Sequence, residues 1–340
     1  MNVRNLSKKF WLKISGGILG ALLIASYVIF FRSTSFEASP QIITINKGES
    51  FSAFAETLQS RGIIRSVFTF KLSGKILGST HKMHVGKYSF TSAVSNYEIL
   101  KDIESGLATV NSKITIYEGL RATQIAKILR REIGIDTAKF FQLFHDPSLI
   151  GIQPNNAQSL EGYLMPETYE FPWQDDEETV VKSMLAQFQE FFVDSLQQRM
   201  KEMGLSLNDV MTMASIVEGE AVVDSERPII AGVYYNRLRI HMPLQADPTV
   251  QYIVGDTPRR LSYNDLKIES AYNTYMRLGL PPGPINNPGK KSILAALYPA
   301  NHKFLYFVSA ANGHHRFARS YVEHLRNVRL YRRVRAAQNG

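Results

Sequence analysis

SLNDVMTMASIVEGE, residues 206–220, decides how the second half of this chain folds. Ser206 followed by Asp209 is a helix start: the hydroxyl can accept an amide hydrogen of the first turn and the carboxylate can reach back to the first amide. Val210, Met213, Ala214 and Val217 then recur three and four residues apart, the spacing of a buried helical stripe. Glu218 shares a face with Met211, Ala214 and Ser215, so its carboxyl is expected at the edge of that stripe and not on the wet side. Loss of solvent there favours the protonated form, and an acid that keeps its proton near neutral pH is what protonation of a leaving oxygen requires. A helix-terminal charge beside Gly219 is the plainer reading of the same pattern.

Glu220 is a poor partner for Glu218 unless the helix ends at Gly219, because residues two apart lie about 200° around a helix. If water were the acceptor in glycoside hydrolysis a second carboxylate would be needed; Asp224, Glu226 and Asp247 are open candidates, which sequence spacing does not place. The next helix is expected to start at Ser225 or Glu226 with Pro228 in its first turn. Asn236 falls on the line of Ile229 and Val233 in that helix. An amide on an apolar face needs partners, either a neighbouring loop or a ligand. The polar loop from Gln245 to Thr249 follows, with Asp247 and Thr249 able to orient a turn or to bind sugar hydroxyls.

Toward the N-terminus the texture changes at Ser159, where SLEGYLMPETYEFPW precedes an acidic turn (175–178) and an amphipathic helix to about Met203. A domain boundary is expected there. Before it, residues 43–48 (ITINKG) return as 114–119 (ITIYEG), with Ala55 and Leu58 matched by Ala126 and Leu129. Strands over 42–45 and 85–90 and helices over 51–59 and 97–103 make this part a set of small α/β units, either spacers or binders of a repeating polymer. Tyr88, Phe90 and Tyr97 would offer sugar-stacking faces if exposed. Beyond the Pro-rich loop a strand is expected at 304–309, and the basic segment 316–335 reads as a solvated helical face or a surface for anionic headgroups or wall polymer.

Residues 14–31 carry no charge over 18 positions, roughly 27 Å of helix and close to a bilayer's hydrocarbon thickness. Arg4, Lys8, Lys9 and Lys13 precede them and only Arg32 closely follows, which orients the N-terminus to the cytoplasm. A cleaved signal is disfavoured, because Arg32 interrupts and residues 33–40 hold no A-x-A site. The 340 residues contain no cysteine, which excludes thiolate nucleophiles, Cys-ligated zinc and disulfides. A net charge of +9 favours anionic partners without choosing among them. A translocated domain never meets the chromosome, so no nucleic-acid partner is expected.

The ordered segments ASIVEGE (214–220), SERP (225–228), YNRL (235–238), LQADPTVQY (244–252), AYNTY (271–275), GLPPGPINNPG (279–289) and YFVSAANGHHRFARSYVEH (306–324) resemble the YceG-like (MltG) family of endolytic murein transglycosylases. The resemblance runs from the anchor to near the C-terminus. It implies an α+β architecture: a single N-terminal transmembrane helix, a small LysM-like α/β region, then a mixed α+β catalytic domain. In these terms 1–13 is a cytoplasmic tail, 14–32 the anchor, 33–40 a linker, 41–158 the LysM-like region and 159–340 the catalytic domain. It implies a lyase acting on the MurNAc-GlcNAc β-1,4 bond of nascent strands, with Glu218 as catalytic residue and 1,6-anhydro ends as product. The attacking hydroxyl then belongs to the substrate, and one carboxyl serves first as acid and then as base. Candidates for the glycan groove are Glu226, Asn236, Gln245, Asp247, Thr249, Tyr272, Asn273 and Tyr275. Implied partners are peptidoglycan strands, inner-membrane lipid and the peptidoglycan synthases (penicillin-binding proteins), with the catalytic domain periplasmic. No cofactor or metal is expected, since His314 and His315 have no further ligand at metal spacing; His315 matches the family's histidine. Gly219 and Ala271 depart from the pattern, at a frequently charged position and a usual proline. A wall-binding scaffold without turnover and a two-carboxylate glycan hydrolase are the alternatives.

Overall fold

The computed structural model describes residues 3–34, 40–90, 93–106, 110–152, 156–310 and 312–338, with side chains from residue 10 to residue 337. Most of the linker expected over 33–40 lies outside them. In chain order the elements are α1 (Val3–Ser26), β1 (Gln41–Ile45), α2 (Phe51–Ser60), α3 (Val67–Leu77), β2 (Gly86–Phe90), α4 (Asn96–Ser105), β3 (Ser112–Thr115), α5 (Ala122–Ile133), α6 (Thr137–Phe144), β4 (Thr168–Phe171), α7 (Glu177–Phe191), α8 (Asp194–Glu202), α9 (Leu207–Glu220), α10 (Arg227–Arg239), α11 (Asp247–Val254), α12 (Lys290–Leu297), β5 (Tyr306–Ser309), β6 (His315–Ala318) and α13 (Tyr321–Gln338). Among the described residues strands pair only two at a time, β1 with β2, β3 with β4 and β5 with β6, so the class is mixed α+β with helices dominant.

The chain divides into two compact units, Met1–Ser112 with Glu170–Asp175, and Lys113–Tyr169 with Asp176–Gly340. In the first, α1 continues through a π turn, Tyr27–Phe31, and Phe10–Phe31 is long and apolar enough to cross a membrane. Ile29 O at the end of this helix accepts from Ser73 Oγ (3.0 Å) and Asn96 Nδ2 (2.8 Å). β1 and β2 pair antiparallel with Ile43 opposite Tyr88, and their inward residues pack with Phe54, Leu58, Phe70, Ile99 and Ile103. Tyr88 and Phe90 therefore belong to this core and offer no stacking face; Tyr97 remains partly exposed with its ring 5.6 Å from Phe31.

The second unit contains residues 113–158, which sequence texture groups with the first part. Local similarity between the two ITI-x-x-G strings says how each folds, not where each docks; the second copy is tied down by a residue far downstream. Asn287 Oδ1 accepts from Gly162 N (2.9 Å) and Leu164 N (3.0 Å), and its Nδ2 donates to Leu120 O and Glu161 Oε1, both 2.9 Å. Its backbone N donates to Leu120 O, and its carbonyl accepts from Gly119 N.

α9 forms as expected. Ser206 Oγ accepts from Asp209 N (3.1 Å), and Asp209 Oδ2 accepts from Ser206 N (3.0 Å). Burial extends beyond one stripe, from Leu207 to Val217 on nearly all sides, because α10, α11 and α12 cover the helix. The helix expected to run to Met203 is broken into α7 and α8, with Phe192 buried and stacked on Phe188 at 5.4 Å. α10 starts at Arg227 with Pro228 in its first turn. α13, the basic segment, is largely exposed.

Burial pushes the Glu161 carboxyl up to about 7, while the Ala122 N–H, Arg121 and Asn287 pull it down. Since its folded value lies above the ordinary 4.5, its contribution is complete below 4.5 and lost as pH rises through about 7. Stability is expected to fall by on the order of 3 kcal/mol through this group between about pH 4.5 and 8. Glu161→Gln, which keeps an acceptor for Ala122 N, is expected to flatten that fall. Thermal unfolding of both proteins across this range checks it, and parallel slopes would remove Glu161 as the cause.

Candidate active site

Glu218 lies at the last turn of α9 with its side chain 7% exposed. Its Oε1 accepts from Arg227 Nη1 and its Oε2 from the Gly289 N–H, both at 3.0 Å. Gly289 is the N-cap of α12, so the carboxylate faces a helix N-terminus as well as a guanidinium. Burial at the edge of the apolar stripe is as expected. Arg227 is itself held by Asp224 Oδ1 (3.1 Å) and by Ser292 Oγ (2.5 Å), and Lys291 bonds Asp224 in turn.

Ser215 and Asn286 fasten the Pro-rich loop to α9: Ile285 N donates to Ser215 Oγ (3.0 Å) and Asn286 Nδ2 to Ser215 O (2.9 Å). This brings Gly289 under Glu218. An ideal Cβ on Gly289 would lie 1.8 Å from Glu118 Oε1, so the Glu118 carboxyl rests on bare backbone. The φ of Gly289 is an ordinary −76°, and it is space, not conformation, that requires glycine.

Two hollows meet here. A cleft of about 680 Å³ is lined by Glu118, Arg121, Glu220, Asp247, Tyr252 and Arg259 among others. A smaller one of about 500 Å³ is lined by Tyr117, Glu118, Glu167 and Glu218. Glu118 lines both. Tyrosines hold two of the lining carboxyls: Tyr275 Oη donates to Asp247 Oδ1 (2.5 Å), and the buried Tyr234 Oη to Glu220 Oε1 (3.0 Å). Burial, with help from the Asp247 charge, pushes Glu220 up to about 7 although the Tyr234 hydroxyl pulls it down. Tyr252 packs with Arg121, 4.2 Å from its ring centre, and with the Tyr272 ring at 4.8 Å. Such a wall of aromatic rings and charged groups around an open trough suits a polar chain with ring faces.

The sequence profile of the YceG-like family matches residues 43–330. This chain belongs to the YceG-like family. The endolytic murein transglycosylase of Bacillus subtilis is 35% identical over 297 residues, 83% of this chain and 82% of that protein. The endolytic murein transglycosylase of Streptococcus pneumoniae D39 is 27% identical over 317 residues, 84% of this chain but 57% of the longer relative. A YceG-like protein of Listeria monocytogenes, solved by crystallography, superposes with a TM-score of 0.60 at 30% identity, covering 84% of this chain and 98% of that one.

The groove candidates of this YceG-like chain separate into two sets. Asp247 lines the cleft, Tyr275 bonds it, and Tyr272 backs Tyr252. The others hold loops. Glu226 accepts from His314 Nδ1, His315 N and His315 Nδ1 (2.7–3.1 Å), fastening the β5–β6 turn. Asn236 Nδ2 donates to His302 O and Phe304 O, and Asn273 Nδ2 to Leu266 O and Ile268 O. Thr249 is fully buried against Ala246 O and Thr274. Gln245 is exposed in the left-handed region (φ 49°), its amide bonded to Thr274 O. Arg227, Asn287, Gly289 and Glu118 were not among the candidates. A signal for Glu118 exists: the repeat has Lys47 where the second copy has Glu118, a reversal of charge that a purely structural repeat does not need.

Proposed function

We propose that this chain is a membrane-anchored endolytic murein transglycosylase in which Glu218 transfers the proton. The observation that carries the reading is the Glu218 carboxyl, held from two sides by Arg227 and Gly289 where two hollows meet in a family whose curated relatives bear that name. A glycan strand laid along the hollows would bring one glycosidic oxygen to the carboxyl pair at their junction. The leaving GlcNAc oxygen takes a proton, the MurNAc 6-hydroxyl attacks C1, and an anhydro end forms without water. Asp247 and Tyr275 offer hydrogen bonds to the sugars, and Tyr252 and Tyr272 ring faces.

The apolar helix Phe10–Phe31 would anchor the chain in the inner membrane as a single span, the cationic N-terminus in the cytoplasm and the rest outside. On this reading the first unit is the LysM-like region, and cleavage happens on nascent strands beside the synthases, ending their elongation. The second reading is a hydrolase, favoured by one observation: Glu118 supplies a second carboxyl beside Glu218.

Product chemistry separates them. Detergent-solubilised full chain incubated with purified peptidoglycan is expected to release ends that mass spectrometry identifies as 1,6-anhydro-MurNAc. Reducing ends would establish the hydrolase instead, and tight binding without any released end would reduce the chain to a scaffold.

A further inference from the structure

The second copy of the ITI-x-x-G repeat departs from the first where it borders the smaller hollow. In the first copy Asn46 and Lys47 are used inside their own unit: Asn46 Oδ1 accepts from Trp173 Nε1 (3.1 Å), and Lys47 N donates to Gln174 Oε1 (2.6 Å). The corresponding residues of the second copy are Tyr117 and Glu118, and both line the hollow that Glu218 lines. Tyr117 is 68% exposed, and among the described residues neither its ring nor its hydroxyl has a partner. Packing does not account for so large a side chain held in water at this place.

Strand alternation fixes what stands around it. Ile114 and Ile116 are buried, so Thr115 and Tyr117 share the outer face of β3 and its continuation. On β4 Tyr169 is buried and donates to Met165 O, while Thr168 is exposed. Ile116 N donates to Glu167 O (2.9 Å) and ties the two segments together. The hydroxyls of Thr115 and Thr168 meet at 2.9 Å. That bond uses one of their two hydrogens and leaves the other, with spare lone pairs, for a ligand. Pro166 also lines the hollow, and Glu167 there is bonded to Lys290 (2.6 Å). An open aromatic ring beside a proline and a pair of hydroxyls suits a pyranose, whose C–H face covers the ring and whose rim hydroxyls take the polar groups.

We propose that this outer face is a sugar subsite next to the bond to be cut, with Tyr117 as its stacking platform and the Thr115–Thr168 pair as its polar edge. The proposal rests on the reading that Glu218 cuts a glycan strand. Because the Glu218 carboxyl lines the same hollow, a sugar seated on Tyr117 adjoins that bond and fixes which linkage of the strand is presented.

The test uses the full chain in detergent with soluble peptidoglycan strands. Tyr117→Ala is expected to raise KM by about 10-fold while kcat changes far less, since the ring covers the substrate without meeting a reacting atom. The unfolding temperature should stay in place, because the ring packs against nothing. Tyr117→Phe restores the ring and should recover most of the loss. Thr168→Val keeps the branched shape without the hydroxyl and should raise KM by about 3-fold. An unchanged KM in Tyr117→Ala overturns the subsite, and a rise that comes with a lowered unfolding temperature and is not recovered by Tyr117→Phe does the same. A loss confined to kcat overturns the stacking role, and an unchanged KM in Thr168→Val overturns the polar edge. A second readout needs no turnover: Tyr117→Trp is combined with Glu218→Gln and titrated with the strands. Its emission should shift beyond that of Glu218→Gln alone, in which Trp11 and Trp173 are the background. Strands that bind without this added shift overturn the stacking. If the unaltered chain releases no ends but the added shift is present, the cleavage reading fails and the subsite stands.

Discussion

Glu218→Gln is expected to abolish glycan cleavage while leaving a folded protein. The amide keeps the shape of the side chain and one oxygen for the Gly289 N–H, but it cannot exchange a proton with a leaving oxygen. Loss of the general acid alone accounts for about 10²- to 10⁴-fold in rate. Removing one member of a buried ion pair costs about 3–5 kcal/mol when the other is left alone. Arg227 is not left alone: Asp224 and Ser292 still hold it, so the loss in stability is expected to be smaller, about 1–2 kcal/mol. Anhydro-end release and thermal unfolding, measured on the same preparation, separate these quantities. Turnover persisting in a folded variant would remove Glu218 from the chemistry; loss of folding together with turnover would make it a structural acid.

Asn287→Ala is expected to be the most destabilising single change among the residues of the site. All four hydrogen bonds of this fully buried amide are made inside the protein, and alanine replaces none of them. The Gly162 and Leu164 amides and the Glu161 carboxyl would lose their partner where water is excluded, at about 1–3 kcal/mol for each unsatisfied group. A total of about 4 kcal/mol, or roughly 10 °C in Tm for a unit of this size, is the expected loss. Activity should fall further than stability, because the lost Nδ2 bond to Leu120 O holds the segment that follows Glu118, and residue 287 lies two residues from Gly289. Thermal unfolding and cleavage at a temperature where the variant is fully folded test both parts. A shift of only a degree or two would mean the loops are held by other contacts.

The reading of α9 needed only near neighbours. Ser206 and Asp209 are three residues apart, and the apolar recurrence that follows is set by helical geometry alone, so the helix, its cap and the semi-buried place of Glu218 were legible. The same holds for the start of α10 at Arg227 and for the apolar N-terminal helix. The groove candidates illustrate the limit. Asn236, Thr249 and Asn273 are polar residues within ordered motifs, and a motif position records that a side chain is needed without recording whether it faces a ligand or a backbone carbonyl. In the structure their amides and hydroxyl are spent on loops.

The sequence by itself determined α9 with its cap, the apolar N-terminal helix, the family resemblance and the one carboxyl on which the chemistry is proposed to turn, because each is written in spacings of a few residues or in an ordered series of motifs. Only the tertiary structure decided what surrounds that carboxyl. Glu118 precedes it by a hundred residues and Gly289 follows it by seventy-one, and no local periodicity relates positions so far apart. They meet because Asn287, Ser215 and Asn286 satisfy buried backbone groups between distant loops. Those bonds are made where α10, α11 and α12 pack around α9 and exclude water.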